Sequence, residues 1–130
     1  MRPGLTANSS LCDRTYHLLN IDIQQVALPD SKTVLVNGDG SLGFNGMEID
    51  TMVRHKLPVK MMVGNNSIWG IDWQIQKGRY GRPVWTDLLP TRYDIMAQGL
   101  GAYGEHVTKA EDVEGAMKRA FDHDGPALLN

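Results

Sequence analysis

Two short apolar runs, at 33–36 and 59–63, constrain this chain more than any other feature. Thr33, Val34, Leu35 and Val36 are almost wholly apolar and mostly β-branched, the pattern of a strand buried on both faces in a parallel sheet. That run stops at Asn37 and Gly38. Residues 59–63 repeat the pattern despite Lys60 and stop at Gly64, Asn65 and Asn66. Between the runs, residues 46–56 carry apolar side chains at 49, 52 and 53, with 57 following, which is helical spacing. Pro58 closes that helix, because the residue before a proline avoids the helical region. Strand, glycine turn, helix and strand make a βαβ unit, whose crossover is right-handed in nearly all cases.

The rest of the chain continues the alternation. Residues 68–84 read as a short helical piece followed by a long loop. Thr91 and Asp94 have the spacing of a capping box, with Asp94 in the place of the usual Glu or Gln, and predict a helix through Leu100. A strand is expected at 104–108. A second capping box, Thr108 with Glu111, opens a helix with apolar positions 113, 116, 117, 120 and 121. Its acids come early and its bases late, which complements the helix dipole. Gly125 and Pro126 stop it, and 127–129 reads as a further strand. Residues 1–30 are the least legible segment: 11–27 suits a helix, but its apolar positions keep no clean period. The expectation is therefore a poorly defined segment 1–30 and one unit, 31–130, with a three-layer α/β/α fold around a mostly parallel sheet.

Composition narrows the function classes. A net charge of −2 with acids and bases mixed leaves no basic stripe for a nucleic acid. No stretch approaches the roughly 18 to 20 apolar residues of a membrane helix, and Arg2 has no apolar signal region behind it. Cys12 is the single cysteine; it excludes an internal disulfide and fits a reducing cytoplasm.

Ligands of open parallel sheets bind beyond the carboxyl ends of the strands. One such end presents Asp39 between Gly38 and Gly40. The other presents Asn66, 27 residues later, so one crossover sets the two side chains on neighbouring strands, able to face one ion. A carboxylate, an amide oxygen and a backbone carbonyl just after Asn66 are hard oxygen donors. Magnesium prefers such donors and fills its other positions with phosphate oxygens and water. Gly38 and Gly40 let the backbone approach a phosphate, Ser41 adds a hydroxyl, and the following helix offers free N–H groups. Taken alone, 38–41 reads first as a tight turn without a ligand. The strand before it, the helix after it and the asparagine pair turn the reading toward a metal-bridged diphosphate site.

Gly38, Asp39, Gly40 and Ser41, followed by Asn65 and Asn66, resemble the thiamine-diphosphate motif of the acetolactate synthase and decarboxylase superfamily. The likeness extends through 43–48, 54–58, 64–70, 87–94 and 104–107, and covers roughly residues 28–130. Similar segments occur in benzaldehyde-lyase-like proteins, oxalyl-CoA decarboxylases and 2-hydroxyacyl-CoA lyases. The resemblance implies that Asp39, Asn66 and the carbonyl of Ile68 ligate Mg2+, with Gly38, Gly40 and Ser41 against the diphosphate. The cofactor would supply the hard step of C–C bond chemistry while the protein binds and orients it. It also implies small-molecule substrates, 2-oxo acids or 2-hydroxyacyl compounds, and a homo-oligomer or a pairing with a pyrimidine-binding domain.

The family's activating glutamate sits on a separate N-terminal domain. Glu48 and Glu105 do not replace it, so no catalytic residue is assigned here. Residues 1–25 do not match the glycine-rich turn and Ala-rich helix of relatives. The expectation is accordingly a fragment, inactive alone and weak in cofactor binding. The rival reading is a non-catalytic interaction module that associates through its exposed interdomain face. A magnesium-dependent nucleotide binder ranks below both, for want of a Walker lysine.

The remaining conspicuous residues have plain readings. His55 and His106 lack metal-ligand spacing, and Met61 and Met62 belong to strand core. Trp69 and Trp73 read as core packing before cofactor cover. Arg79, Arg82 and Arg92 read as solvated loop residues, and Tyr93 and Asp94 as servants of helix geometry.

Overall fold

The computed structural model describes residues 5–8 and 17–130, with side chains from residue 21 onward. Five strands form one parallel sheet: β1 (Leu5–Asn8), β2 (Lys32–Gly38), β3 (Lys60–Gly64), β4 (Tyr103–Glu105) and β5 (Ala127–Leu129), in the spatial order β1-β2-β3-β5-β4. The helices are α1 (His17–Ala27), α2 (Asp39–Asn45), α3 (Glu48–Arg54), α4 (Gly70–Tyr80), α5 (Tyr93–Gly99) and α6 (Val113–Asp122). Leu35, Met61 and Leu128 point to one face and bury Ile21 of α1, Leu42 of α2, Ile49 and Met52 of α3 and Ala97 of α5. Ala127 and Leu129 point to the other and meet Ala116 and Ala120 of α6. Helices thus cover both faces of the sheet, and the architecture is three-layer α/β/α. Each fully buried large aliphatic side chain contributes roughly 1.5–3 kcal/mol to holding those layers together.

Several elements depart from the sequence expectation for identifiable reasons. β2 is buried on one face rather than both: Thr33 and Leu35 are inaccessible, but Val36 is 65% exposed. The cause is that α6 packs over β5, leaving the second face of β2 uncovered among the described residues. Helix begins at Asp39, directly after an extended Gly38 (φ −87°, ψ 164°), and a separate α3 follows; one helix over 46–56 was expected. Gly40, Gly43 and Gly46 lower helix propensity there and hid α2. An acid at its first residue suits the helix dipole. The short helical piece expected after Ile68 is an eleven-residue helix, α4, with no buried residue, ended by a left-handed Gly81.

Neither expected capping box forms. Arg92 is the N-cap of α5 without a side-chain cap. Its guanidinium instead grips the buried Asp94 through Nε to Oδ1 at 2.8 Å and Nη2 to Oδ2 at 2.6 Å, so it is not simply a solvated loop residue. Those bonds hold the Asp94 carboxyl below the usual carboxylate range. Before α6, a 3-10 turn (Ala110–Asp112) stands where the second box was expected, and β4 ends at Glu105, short of Thr108. In the N-terminal segment, α1 falls within the expected 11–27 helix, whose residues 11–16 lie outside the described residues. The strand β1 had no sequence signal. No helix among the described residues is long and apolar enough to cross a membrane.

Lys60 is tolerated in β3 because its ammonium finds two acceptors, the carbonyls of His123 and Gly125, each at 2.7 Å. Burial pushes its pKa down. The charge also sits just past the carboxyl end of α6, where a cation is favoured.

At the junction of α2 and α4 the packing is tight. The indole of Trp69 lies on Gly40 and stacks on Phe44, with ring centroids 5.4 Å apart. A Cβ on Gly40 would stand 1.9 Å from the indole Cδ1. Alanine would ordinarily favour a helix by about 1 kcal/mol over glycine, but here it must displace the ring. We expect Gly40→Ala to destabilise by roughly 1–3 kcal/mol and to shift tryptophan emission as the indole becomes exposed. Urea unfolding followed by circular dichroism and fluorescence checks both, and parental stability would contradict the contact.

Asp22 of α1 is 5% exposed, and neither carboxylate oxygen has a hydrogen-bond partner among the described residues. Burial, and then the charge of Glu48, raise its pKa to about 7 from an ordinary 3.8. Between these values the folded chain keeps a proton that the unfolded chain has released. Its contribution to stability is therefore whole below pH 4 and is lost as pH rises through 7. Asp22→Asn removes this dependence, so its advantage in Tm over the parent should widen between pH 4 and pH 8. A constant difference across that range would refute the assignment.

Candidate cofactor site

The parallel register pairs Gly38 with Gly64. The chains leaving β2 and β3 therefore emerge side by side at the carboxyl edge of the sheet. Between them opens a cleft of about 260 Å³. Gly38, Asp39, Gly40, Ser41, Asn66 and Ile68 all line it, so the six residues singled out from sequence are brought together. Phe44, Trp69 and Asp72 line it as well. Sequence reasoning weighed Trp69 as core before cover and did not single out Phe44 or Asp72; the apolar residue in the second turn of α2 and the acid in the first turn of α4 were the available signals.

Asp39 is 2% exposed, and its two oxygens bridge the site. Oδ1 accepts the N–H of Gly40 at 2.9 Å, and Oδ2 accepts the N–H of Ser67 at 2.7 Å. The first bond belongs to the opening turn of α2 and the second to the loop leaving β3. Bonds from N–H groups to a carboxylate are among the stronger ones, so this buried charge is compensated on both sides. Asn66 is exposed, and its Oδ1 accepts the N–H of Ile68 at 3.3 Å, which folds 66–68 back on itself. Ser67, between them, has φ of +59°, a left-handed conformation that costs a non-glycine residue of order 1 kcal/mol or more.

Ile68 forms an antiparallel bridge with Asp87. Its neighbours make the bonds: Leu88 N–H to the Ser67 carbonyl at 2.7 Å, and Trp69 N–H to the Thr86 carbonyl at 2.8 Å. In such pairing successive residues present their backbone groups to opposite sides, so the Ile68 carbonyl faces away from the 86–88 segment. Gly38, by contrast, has ordinary extended dihedrals and no close neighbour that would exclude a Cβ. The requirement for glycine lies at Gly40, where the indole of Trp69 occupies the space.

No group of three or more His, Cys, Asp or Glu side chains able to hold a metal exists among the described residues. A cation in this cleft would draw instead on one carboxylate, one amide oxygen and one backbone carbonyl. That donor set suits a hard ion such as magnesium. The cleft is also smaller than the roughly 300–1,000 Å³ usual for a complete small-molecule pocket, and its dimensions suit part of a ligand.

Residues 21–130 match the family model described as thiamine pyrophosphate enzyme, C-terminal TPP binding domain. An acetolactate synthase large subunit of Mycobacterium tuberculosis is 42% identical over 107 residues, which are 82% of this chain and 20% of that protein. A 2-hydroxyacyl-CoA lyase 2 of Caenorhabditis elegans is 40% identical over 82 residues, 63% of this chain and 13% of that one. Among solved structures, a thiamine diphosphate-dependent 4-hydroxybenzoylformate decarboxylase of Rhodococcus jostii superposes with a TM-score of 0.82 at 28% identity, over 88% of this chain and 22% of its own. The chain thus spans between about an eighth and about a fifth of the length of these relatives. With its parallel sheet and the cleft at its carboxyl edge, the chain belongs to the thiamine pyrophosphate enzymes, as their C-terminal cofactor-binding domain.

Proposed function

We propose that this chain holds the diphosphate end of thiamine diphosphate through Mg2+, as one part of an enzyme that makes or breaks C–C bonds. One observation carries the proposal: the Asp39 carboxylate, the Asn66 amide and the Ile68 residue line a single cleft while both Asp39 oxygens are fixed by backbone amides. Asp39, Asn66 and the Ile68 carbonyl would be the protein's ligands to the metal. Gly38, Gly40 and Ser41 would lie against the diphosphate. Bound there, the cofactor supplies the carbon-centred chemistry of the reaction. The residues of this chain bind and orient it: Asp39 brings the negative charge that a divalent ion needs, and the buried position of that carboxylate fixes its direction.

The substrate class belongs to the same proposal. Relatives are named as acetolactate synthase, 2-hydroxyacyl-CoA lyase and probable pyruvate decarboxylase, which favours 2-oxo acids or 2-hydroxyacyl compounds. Residues 31–130 form the cofactor-binding part, in a cytoplasmic setting that the single Cys12 suits. A pyrimidine-binding domain would complete the site for the cofactor's ring, and the chain alone would be inactive.

A second reading has its own support. Ile71 and Ile75, one turn apart on α4, are exposed, as are Tyr80, Val84, Trp85 at 95% and Leu89 at 78%, and Ile71 lines the cleft. Exposed apolar side chains of this size favour association, either with a second copy or with a partner domain. On this reading the chain is an interaction module whether or not it binds cofactor.

Isothermal titration with Mg2+ and thiamine diphosphate tests the first reading. Asp39→Ala should lower the affinity at least about tenfold, equivalent to about 1.4 kcal/mol, with little loss in the absence of metal. Equal binding by parent and variant removes the metal bridge. Sedimentation velocity tests the second, which a monomer at all concentrations would defeat.

A further inference from the structure

A chain of polar contacts runs from the surface of α5 to the loop that carries Asn66, and it goes unused in the binding scheme above. Arg92 grips Asp94 with two hydrogen bonds. Asp94, 2% exposed, accepts through Oδ1 from Asn130 Nδ2 at 3.3 Å. Asn130, 8% exposed, is fixed by its own backbone: its N–H donates to the Glu105 carbonyl at 2.9 Å, and its carbonyl accepts from Val107 at 2.8 Å. Its side-chain Oδ1 then accepts from Asn65 Nδ2 at 3.0 Å, and the same Nδ2 donates to the Thr91 carbonyl at 2.9 Å. Finally, Asn65 Oδ1 accepts the Ser67 N–H at 3.2 Å, the same N–H that Asp39 Oδ2 holds at 2.7 Å.

Two features make this more than a collection of surface contacts. Ser67 has the left-handed backbone that non-glycine residues avoid, and its amide has two side-chain acceptors, one from each direction. Asn65 also uses both ends of its amide, donors toward Thr91 and Asn130 and acceptor toward Ser67. It therefore couples the rigid carboxyl end of β5 to the turn between Asn66 and Ile68.

We propose that Arg92, Asp94, Asn130 and Asn65 form a positioning relay that sets the geometry of the 66–68 loop, and with it the selectivity of the site for magnesium. The inference rests on the cofactor reading above. Its physical basis is the difference between two ions. Magnesium requires near-ideal octahedral geometry at 2.0–2.1 Å, whereas calcium accepts longer and more variable arrangements. A loop held by the relay presents the Asn66 and Ile68 oxygens in one arrangement; a loosened loop presents a spread, which penalises magnesium more. None of the four side chains is a proposed ligand.

The test uses the full chain with Asn65→Ala and Asp94→Asn. Amide hydrogen exchange without ligand should show Ser67 exchanging at least about tenfold faster in both variants, with the amides of β3 unchanged. Titration of thiamine diphosphate with Mg2+ and with Ca2+ should show the Mg2+ complex weakened more, moving the Mg2+ to Ca2+ affinity ratio about fivefold toward calcium. A folded Asp94→Asn with parental Ser67 exchange, or variants that lose both ions equally, overturns the relay. Should Asp94→Asn fail to fold, Asn65→Ala at its half-buried loop position decides alone by the same two measurements. A parent chain that binds no thiamine diphosphate with either ion defeats the cofactor reading and the relay together. That result is distinguished by appearing before any substitution.

Discussion

The hydrogen bond from the Ser67 amide to the Asp39 carboxylate, at 2.7 Å, is where the architecture becomes a site. Asp39 belongs to the first turn of α2 and Ser67 to the loop leaving β3, so the bond closes the gap between two consecutive crossovers. It depends on the parallel register that sets Gly38 against Gly64. A slip of one residue in that pairing would turn Leu35 and Met61 out of the core, so hydrophobic burial specifies the register. The large apolar residues of one sheet face thereby fix the separation of two polar groups at its edge. Packing places the chemistry, and the short charged bond then locks the loop against the helix.

The same packing leaves an uneven surface. One face of the sheet is covered by α1, α2, α3 and α5, while α6 covers the other over β5. Val36 of β2 stays 65% exposed, and α4 buries none of its residues. An eleven-residue helix without a buried face has little to hold it in water beyond its own hydrogen bonds. Here it is pinned at its start by Trp69, stacked on Phe44 and seated on Gly40, and stopped at its end by Gly81. That arrangement fits a domain whose relatives are about four times as long. Ile71 and Ile75 of α4 stay exposed, and Ile71 borders the cleft, where the proposed neighbour would complete a pocket too small to enclose a whole cofactor.

Legibility in the sequence followed the strength of burial. β3 and β5 were readable as short apolar runs bounded by glycine or proline, and α6 from apolar positions at the helical period, all feeding the core. Asp39 and Asn66 were readable because glycine turns mark the ends of buried strands, and the offset between them equals one crossover. α2 was hidden by its three-residue spacing of glycines, which reads as loop although a tight indole contact is the reason for one of them. α4 was underestimated because its period answers to no internal core. The first capping box misled because Asp94 had a stronger partner: a bidentate guanidinium outcompetes a single backbone amide. Asn65 was read only as a member of the asparagine pair and Asn130 carried no local signal, since the contact that joins them spans 65 positions of sequence.

The division of donors at the cleft also shapes how a metal and a diphosphate would be held. Magnesium takes six oxygens, and the proposed set of Asp39, Asn66 and Ile68 supplies three, only one of them charged. A single carboxylate and two neutral oxygens compete poorly with water for a strongly hydrated ion, so the ion alone gains little by entering. A diphosphate alone would meet the buried Asp39 carboxylate, a like charge, and gains little either. Together each would remove the other's obstacle: Asp39, Asn66 and Ile68 would hold the ion, whose charge would offset the Asp39 carboxylate and leave its other positions to phosphate oxygens. Metal and diphosphate affinity are then coupled, and by linkage each must raise the other's by the same factor. A site built this way would hold the pair far better than either member alone. For that, the 66–68 loop must already lie in the arrangement the pair requires, which is why its anchoring to the far strands matters as much as the identity of the ligands.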